Sequence, residues 1–546
     1  MKRVVGFLFI LFTSLTFYSC QQSQCPTGFM KPHEEGLLRV SIDNDLSTMD
    51  PRRVRDLNTM TFMRMFYEGL VRAKSDGTYE PAVAEKIEVS DDGKVYTIKL
   101  KETFWTNGER VEANDFIYAW KSMLTPGFPA PNAYQLYPIK NAQAIKDGKE
   151  FVDALGVFEK NKTTLVIELE HAHPEFMQLL STPFYYPVNY QWAKDYDDSP
   201  HTINPGEVPL NGPFVPKSWH QQESLVAAPN PTYWDAKAVK LKKVEFIYSD
   251  NNTALQMFKQ DGVDWVGSPL STLPMDALAA LKKENCVKIV PADGMFFIRM
   301  NTAKPPFTNA NIRRGFSQAI DRKSIVENIT LAGQPPSTSL VPTNYGLGST
   351  AAHEIYDPSR AASDFARGLK ELGLQTDTFP PVTLSYVYSD RNHKIAQTLQ
   401  RQWKTLLGID VSLPPSEAKV TMDQIRRGDY MMAIGSWFAD IHDPINYLDV
   451  FKYKNNGTNN TGWENAKYIE ALEKSTTVGT DERKKSLAEA ESILLQEMPI
   501  VPLFEATFSY MQKPRVEGVY LSPLGYMDFK YASVAKYADD FPPKGD

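Results

Sequence analysis

The sequence is poor in several things that would decide a function at once. It has three cysteines, Cys20, Cys25 and Cys286, in 546 residues and no CxxC pair. A disulfide framework and a cysteine zinc or redox site are thereby excluded, and one bridge at most is possible. Clustered lysine and arginine are also missing, and with a formal charge of −7 the chain offers no phosphate-binding face, which excludes nucleic acid as a partner. After the N-terminal segment no apolar run reaches the roughly 18–20 residues that span a bilayer. There is no GxSxG elbow, Walker loop, HExxH or EF-hand pattern. No enzyme is expected, and no metal or other cofactor. "GLGSTA" (346–351) lacks the third glycine of a dinucleotide fingerprint and reads as a loop. His171 and His173 have the spacing of a ligand pair on a strand, but Pro174 follows and no matching acid cluster stands near, so an exposed turn is expected. Asp195, Asp197 and Asp198 read as a solvated acidic loop rather than a calcium site.

What is present is a globular composition, 42% hydrophobic and 12% aromatic, on a chain long enough for about three to four domains. Lys2 and Arg3 precede the apolar run "VVGFLFILFTSLTF", which closes at Ser19-Cys20 and turns polar at "QQSQ". That is an export signal (1–20), with Cys20 placed as the lipid-bearing residue of a lipoprotein-like cleavage site; 21–36 reads as a tether. The expected location is the periplasm or cell envelope of a bacterium, lipid-anchored to the membrane.

Order begins at "LLRVSI" (37–42), a buried strand, followed by a helical face at 59–71. "KVYTIKLKETF" (94–104) alternates like a half-buried strand, and Asn114 is placed to cap the helix "EANDFIYAWKSML". The Pro-rich segment 183–219, with its "NGPF", reads as irregular connection. Strand and helix then alternate through 240–267 and again after 290, where Ile312, Phe316 and Ile320 share one helical face.

Several ordered stretches resemble the family-5 extracytoplasmic solute-binding proteins of peptide ABC importers, and among them the oligopeptide-binding group. They are "STMDP" (47–51), "FYEGLVR" and "EPAVAEKIEVSDDGKVYTIKLKETFWTNGERVEANDFIYAW" (66–120), "NGPF" with "NPTYWDAKAVKLKKVEFIY" (211–248), "MNTAKPPFTNANIRRGFSQAIDRKSIV" (300–326), "GSWFADIHDPINYL" (435–448) and "MPIVPLFEA" (498–506). The resemblance implies an α/β fold: a two-lobed periplasmic-binding-protein clamshell with an extra inserted domain, its mixed sheets flanked by helices. The first lobe would combine 37–68, 200–294 and 508–546, the inserted domain 69–199, and the second lobe 295–507.

The implied function is an extracytoplasmic receptor, expected to be monomeric, that captures short peptides in a closed cleft and passes them to the permease subunits of an inner-membrane ABC importer. Murein tripeptide, dipeptide and nickel or haem ligands are the alternatives within the fold; a peptidase or an adhesin is the alternative outside it. By the family pattern Trp437 and Asp440 lie in the cleft, Asp440 pairing with the peptide's α-amino group, whereas the residues alone would make Asp440 a turn or helix cap. Ser436 and Phe438 match positions whose main chain pairs with an extended peptide. Tyr134 and the loop Asn459-Asn460-Thr461 fall near other ligand-proximal segments. The chain departs from the pattern at Ile434, where some members carry an arginine for the peptide's carboxylate, and at Arg299, where the best-matching members have an acid. Arg299 or His393 is therefore expected to face the ligand's carboxylate.

Overall fold

The computed structural model describes residues 33–54, 56–74, 77–198, 205–348, 356–455, 457–476 and 478–536. The expected signal peptide 1–20, its Cys20 and residues 21–32 of the tether lie outside these. Strand Leu37–Ile42 buries Leu38 and Val40 completely and pairs in parallel with Lys243–Tyr248, residue for residue. Helix Leu57–Phe66 starts on Asp56, whose side chain accepts from the Thr59 N–H. The helical face read from sequence runs on to 71, but the helix stops at Phe66 because the "NGPF" segment ends it. The Asn211 side chain accepts from the Glu68 N–H at 2.9 Å and donates to the Glu68 carbonyl at 3.0 Å, and the Gly212 N–H reaches the Phe66 carbonyl. A Cβ at Gly212 would lie 2.5 Å from the Phe66 backbone, so only glycine fits. A segment that reads as mere connection is thus the stop for a core helix.

The capping residue of helix Ala113–Leu124 is Glu112, not Asn114. The Asp115 carboxylate accepts both the Glu112 N–H at 2.9 Å and the Trp105 indole N–H at 3.0 Å, which fixes the start two residues earlier. Asp197 lies in helix Tyr190–Asp198 and binds the buried Arg52 at 2.7 Å, so it is a structural ion pair rather than a solvated loop acid. His171 is exposed, whereas the Nδ1 of His173 is buried without a hydrogen-bond partner, which corrects the expected exposed turn. Cys286 is disulfide-bonded.

The main sheet has eleven strands, ten of them in the order Val411–Ser412, Val382–Val387, Met432–Phe438, Lys288–Met300, Ile500–Gln512, Trp265–Gly267, Leu37–Ile42, Lys243–Tyr248, Ser224–Pro229 and Phe214–His220. A separate four-stranded sheet holds Ala84–Val89, Val95–Leu100, Thr164–Glu168 and Val157–Asn161. The mixed parallel and antiparallel pairing, with helices packed on it, is the α/β architecture the sequence implies. One hydrophobic core gathers residues between 38 and 270 with Ile441 and 510–534; two others are built from 295–504. In the second group Ile312, Phe316 and Ile320 are wholly buried, each contributing about 1.5–3 kcal/mol, although their helix breaks after Gln318 and restarts at Arg322 on an Asp321 cap.

The two long strands Lys288–Met300 and Ile500–Gln512 run between these cores. Their register slips between Pro291 and Met295, a bulge that holds Asp293 and Gly294 at the junction. No helix among the described residues is long and apolar enough to cross a membrane.

Candidate ligand-binding cleft

Strand Met432–Phe438 is paired along its whole length on one side only. Its residues face 294–300 in antiparallel register, from Gly294 opposite Phe438 to Met300 opposite Met432. On the other side strand Val382–Val387 reaches only Met432 and Ala433. Among the described residues, the outer edge of 434–438 therefore carries no strand, and an unpaired edge is a template for an added one. The Phe438 ring, 43% exposed, stands over Gly294 and meets Phe296 edge-on at 5.9 Å.

The segment after the strand is held by Asn446, at the start of the short helix Ile445–Leu448. Its side-chain oxygen accepts both the Trp437 indole N–H at 3.2 Å and the Asp440 N–H at 3.1 Å. The N-cap of that helix is Pro444, and Asp443 just before it accepts from the Ile445 N–H at 2.8 Å and pairs with Arg483. Asp440 is thus relieved of the capping role its neighbourhood suggests. Its Oδ2 accepts the Tyr134 hydroxyl at 2.9 Å, from the single turn Ala133–Leu136. Burial raises the Asp440 carboxyl above the usual range, opposed by the hydrogen bond from Tyr134. No lysine, arginine or histidine among the described residues lies within ion-pair distance of it. Next to it the His442 N–H donates to Gln178 at 3.1 Å, and its ring contacts Asp293 at 2.7 Å while stacking on Tyr345. Two contacts, Tyr134 with Asp440 and Gln178 with His442, therefore tie 134–178 to 440–442.

Beyond the free edge lies a cavity of about 350 Å³ lined by Ile434 to Trp437, Arg299, Arg391 and Asn460. The Arg299 guanidinium lies over Gly435 and 4.9 Å from the Phe297 ring; its Nε is buried with no hydrogen-bond partner. Arg391 lies 5.0 Å over Phe296. Burial pushes both guanidiniums below their ordinary range. Asn460 lines the cavity at a positive φ of 54°, its side chain bonded to the Gly457 and Thr458 carbonyls.

Two expected residues stand elsewhere. Thr461 is wholly buried beneath the loop, its hydroxyl spent on Asn459. The His393 ring is held by the Tyr386 hydroxyl at 2.7 Å, and Arg391 and Asn392, not His393, line the cavity. A larger cavity, about 730 Å³, opens at 518–523 and contains none of the expected residues.

The model of the bacterial extracellular solute-binding proteins, family 5 (middle), matches residues 78–459. The chain belongs to this family. It is 36% identical to the oligopeptide-binding protein OppA of Bacillus subtilis over 538 residues, covering 95% of this chain and 98% of the relative. Among solved structures, OppA of Listeria monocytogenes bound to peptide superposes with a TM-score of 0.76 at 27% identity, covering 92% of this chain and 100% of that one. The murein tripeptide binding protein MppA of Escherichia coli gives 0.78 at 27% identity, over 92% and 99%.

Two residues of this family-5 cleft escaped the sequence reading. Asn446 gives no signal of its own, being one polar residue in a turn. Arg391 does give one: it stands in the first turn of helix Asp390–Leu407, where a cation opposes the helix dipole and so calls for a reason beyond the helix.

Proposed function

We propose that this family-5 protein binds short peptides in extended form, Asp440 receiving the free α-amino group and the edge of 434–438 pairing with the peptide backbone. The observation that carries this reading is the Asp440 carboxylate, desolvated and met by a phenol but, among the described residues, by no cation. Such a group is costly by itself, and an ammonium would offset the cost with charge-assisted hydrogen bonds worth about 1.5–3 kcal/mol each. Recognition through an open strand edge reads main chain rather than side chains, which suits a receptor for many sequences. The names of the relatives, an oligopeptide-binding protein among them, support the same ligand class.

In this reading the described cores act as lobes that close over the peptide by bending at the two long strands. Cys20 carries a lipid, and the loaded monomer docks on an ABC importer's permease subunits. The test is intrinsic tryptophan fluorescence with matched free and N-acetylated peptides, Trp437 being the reporter beside the anchor. Tight binding of the free form and loss on acetylation are expected; equal affinity would remove Asp440 from this role. Native mass spectrometry of the purified protein would show the lengths of co-purified peptides.

A further inference from the structure

The amine anchor leaves the other charged feature of the cleft unused. Elsewhere in the fold, buried arginines are closed on partners: Arg52 on Asp50 and Asp197, Arg64 and Arg72 on Asp528, Arg515 on Asp261 and Asp264, Arg322 on backbone carbonyls. Arg299 and Arg391 share one cavity and neither makes an ion pair among the described residues. Their guanidiniums themselves lie over the Phe297 and Phe296 rings, so the two cations are held in place and partly shielded from water but not neutralised. A third arginine of the lining, Arg426, is bound to Asp423 at 3.2 Å and does not compete for an anion.

We propose that this cavity is a side-chain subsite for an acidic residue of the bound peptide, with Arg299 and Arg391 as its specificity-determining cations. The inference rests on the peptide reading given above. The cavity opens at 434–437, within the stretch whose free edge would pair with the ligand. Residues 434–436 precede Asp440 by four to six positions, and at ~3.3 Å per strand residue the guanidiniums stand roughly 13–20 Å from the amine anchor. That distance selects the side chain of about the fifth to seventh peptide residue. The walls come from the strand, from Arg391 and Asn392 at a helix start, from helix Ala418–Arg427 and from the 457–460 loop, so they surround a group projecting sideways from the added strand. A terminal carboxylate would instead continue along the strand edge. Space left around an Asp or Glu carboxylate accommodates bridging water.

Titration calorimetry on the full chain with heptapeptides of one neutral sequence tests this. Each peptide carries Glu or Gln at the fifth, sixth or seventh position, with a free or amidated C-terminus. At one of these positions Glu is expected to bind about tenfold or more tightly than Gln, whether or not the terminus is amidated. In Arg391→Met, and in Arg299→Met if it folds, that Glu-over-Gln ratio is expected to collapse towards one. Equal affinity for Glu and Gln at all three positions overturns the subsite while leaving the peptide reading intact. Loss of affinity on amidation with no Glu preference reassigns the arginines to the terminal carboxylate and also overturns it. If no peptide binds at all, the peptide reading and the subsite fall together.

Discussion

In the first core Arg64 and Arg72 both reach Asp528, and Arg72 also meets Glu68 at 3.0 Å. In the cleft Asp440 has a phenol for a partner, and Arg299 makes no ion pair among the described residues. Both places remove charge from water, but only the first completes the circuit within the chain. Removing one member of a closed pair strands the other, so such networks lock a fold; a charge left open in a cavity destabilises the protein alone and is worth keeping only for what enters. The difference is the one expected between structural charge and the ligand-binding charge proposed for the cleft, and it is seen without reference to relatives.

The largest effect is expected where the circuit is closed. Asp528→Asn leaves two buried guanidiniums short of charge and should lower stability by about 3–5 kcal/mol, read by thermal or denaturant unfolding. Burial alone would raise the Asp528 carboxyl, but Arg72 and Arg64 outweigh it and hold it at about 2. A carboxyl depressed in the fold contributes stability above its unfolded value of about 3.9 and loses it as pH falls through the folded value. The gap between wild type and Asp528→Asn should therefore be full at pH 7 and vanish between about pH 4 and 2. A gap independent of pH would mean the network does not act through charge.

Asp440→Asn should behave in the opposite way. Its carboxyl is raised in the fold, so the ionised form opposes folding above the folded pKa and that cost lifts as pH falls. The variant is expected to melt at the wild-type temperature or above it at neutral pH, yet to lose affinity for free-amine peptides on the order of a hundredfold. Destabilisation together with intact binding would place Asp440 among the structural charges and break the comparison.

How far the sequence shows this division can be judged from particular residues. Strand and helix periodicity located the elements around Leu37–Ile42 and Ile312/Phe316/Ile320, because alternation and 3.6-residue spacing are local properties of the chain. The α/β clamshell followed from resemblance, and the family match over 78–459 bears out the family itself. What stayed hidden depends on contacts distant in sequence. Asn211 and Gly212 stop a helix whose end lies at Phe66, and the turn bond expected of Asp440 is made to the Ile445 N–H by Asp443, which no spacing rule distinguishes. His393 and Arg391 are two residues apart on one helix start and so face opposite ways; the side that meets the cavity is Arg391's, with His393 held by the Tyr386 hydroxyl. Thr461 looks like a polar loop residue until the loop folds over it.

A smaller effect tests the neutral partner on the open side. Tyr134→Phe removes the hydroxyl that Asp440 accepts, leaving the carboxylate with weaker support before a ligand arrives. The loss should be about 1 kcal/mol, seen as a roughly fivefold weaker affinity for free-amine peptides and no change for N-acetylated ones. An equal loss for both would show that Tyr134 shapes the cleft rather than supporting the anchor.

The smallest effect is expected at Gly435, where the comparison can be sharpened without touching a charge. A Cβ at this position would run into the Arg299 guanidinium, the far end of a flexible side chain, so the arginine moves and the strand stays. Gly435→Ala should therefore change stability by less than about 1 kcal/mol, since the position is an ordinary strand residue paired opposite Phe297. Its consequence falls on placement: with Arg299 pushed off the strand, the preference for an acidic over a neutral side chain should narrow by a few-fold while the free-amine requirement set at Asp440 persists. The calorimetric ratio of Glu to Gln peptides, measured on both proteins, decides it. A ratio unchanged by the added methyl would mean that Arg391 carries the cavity's selectivity, and the open charge of Arg299 would then need another purpose.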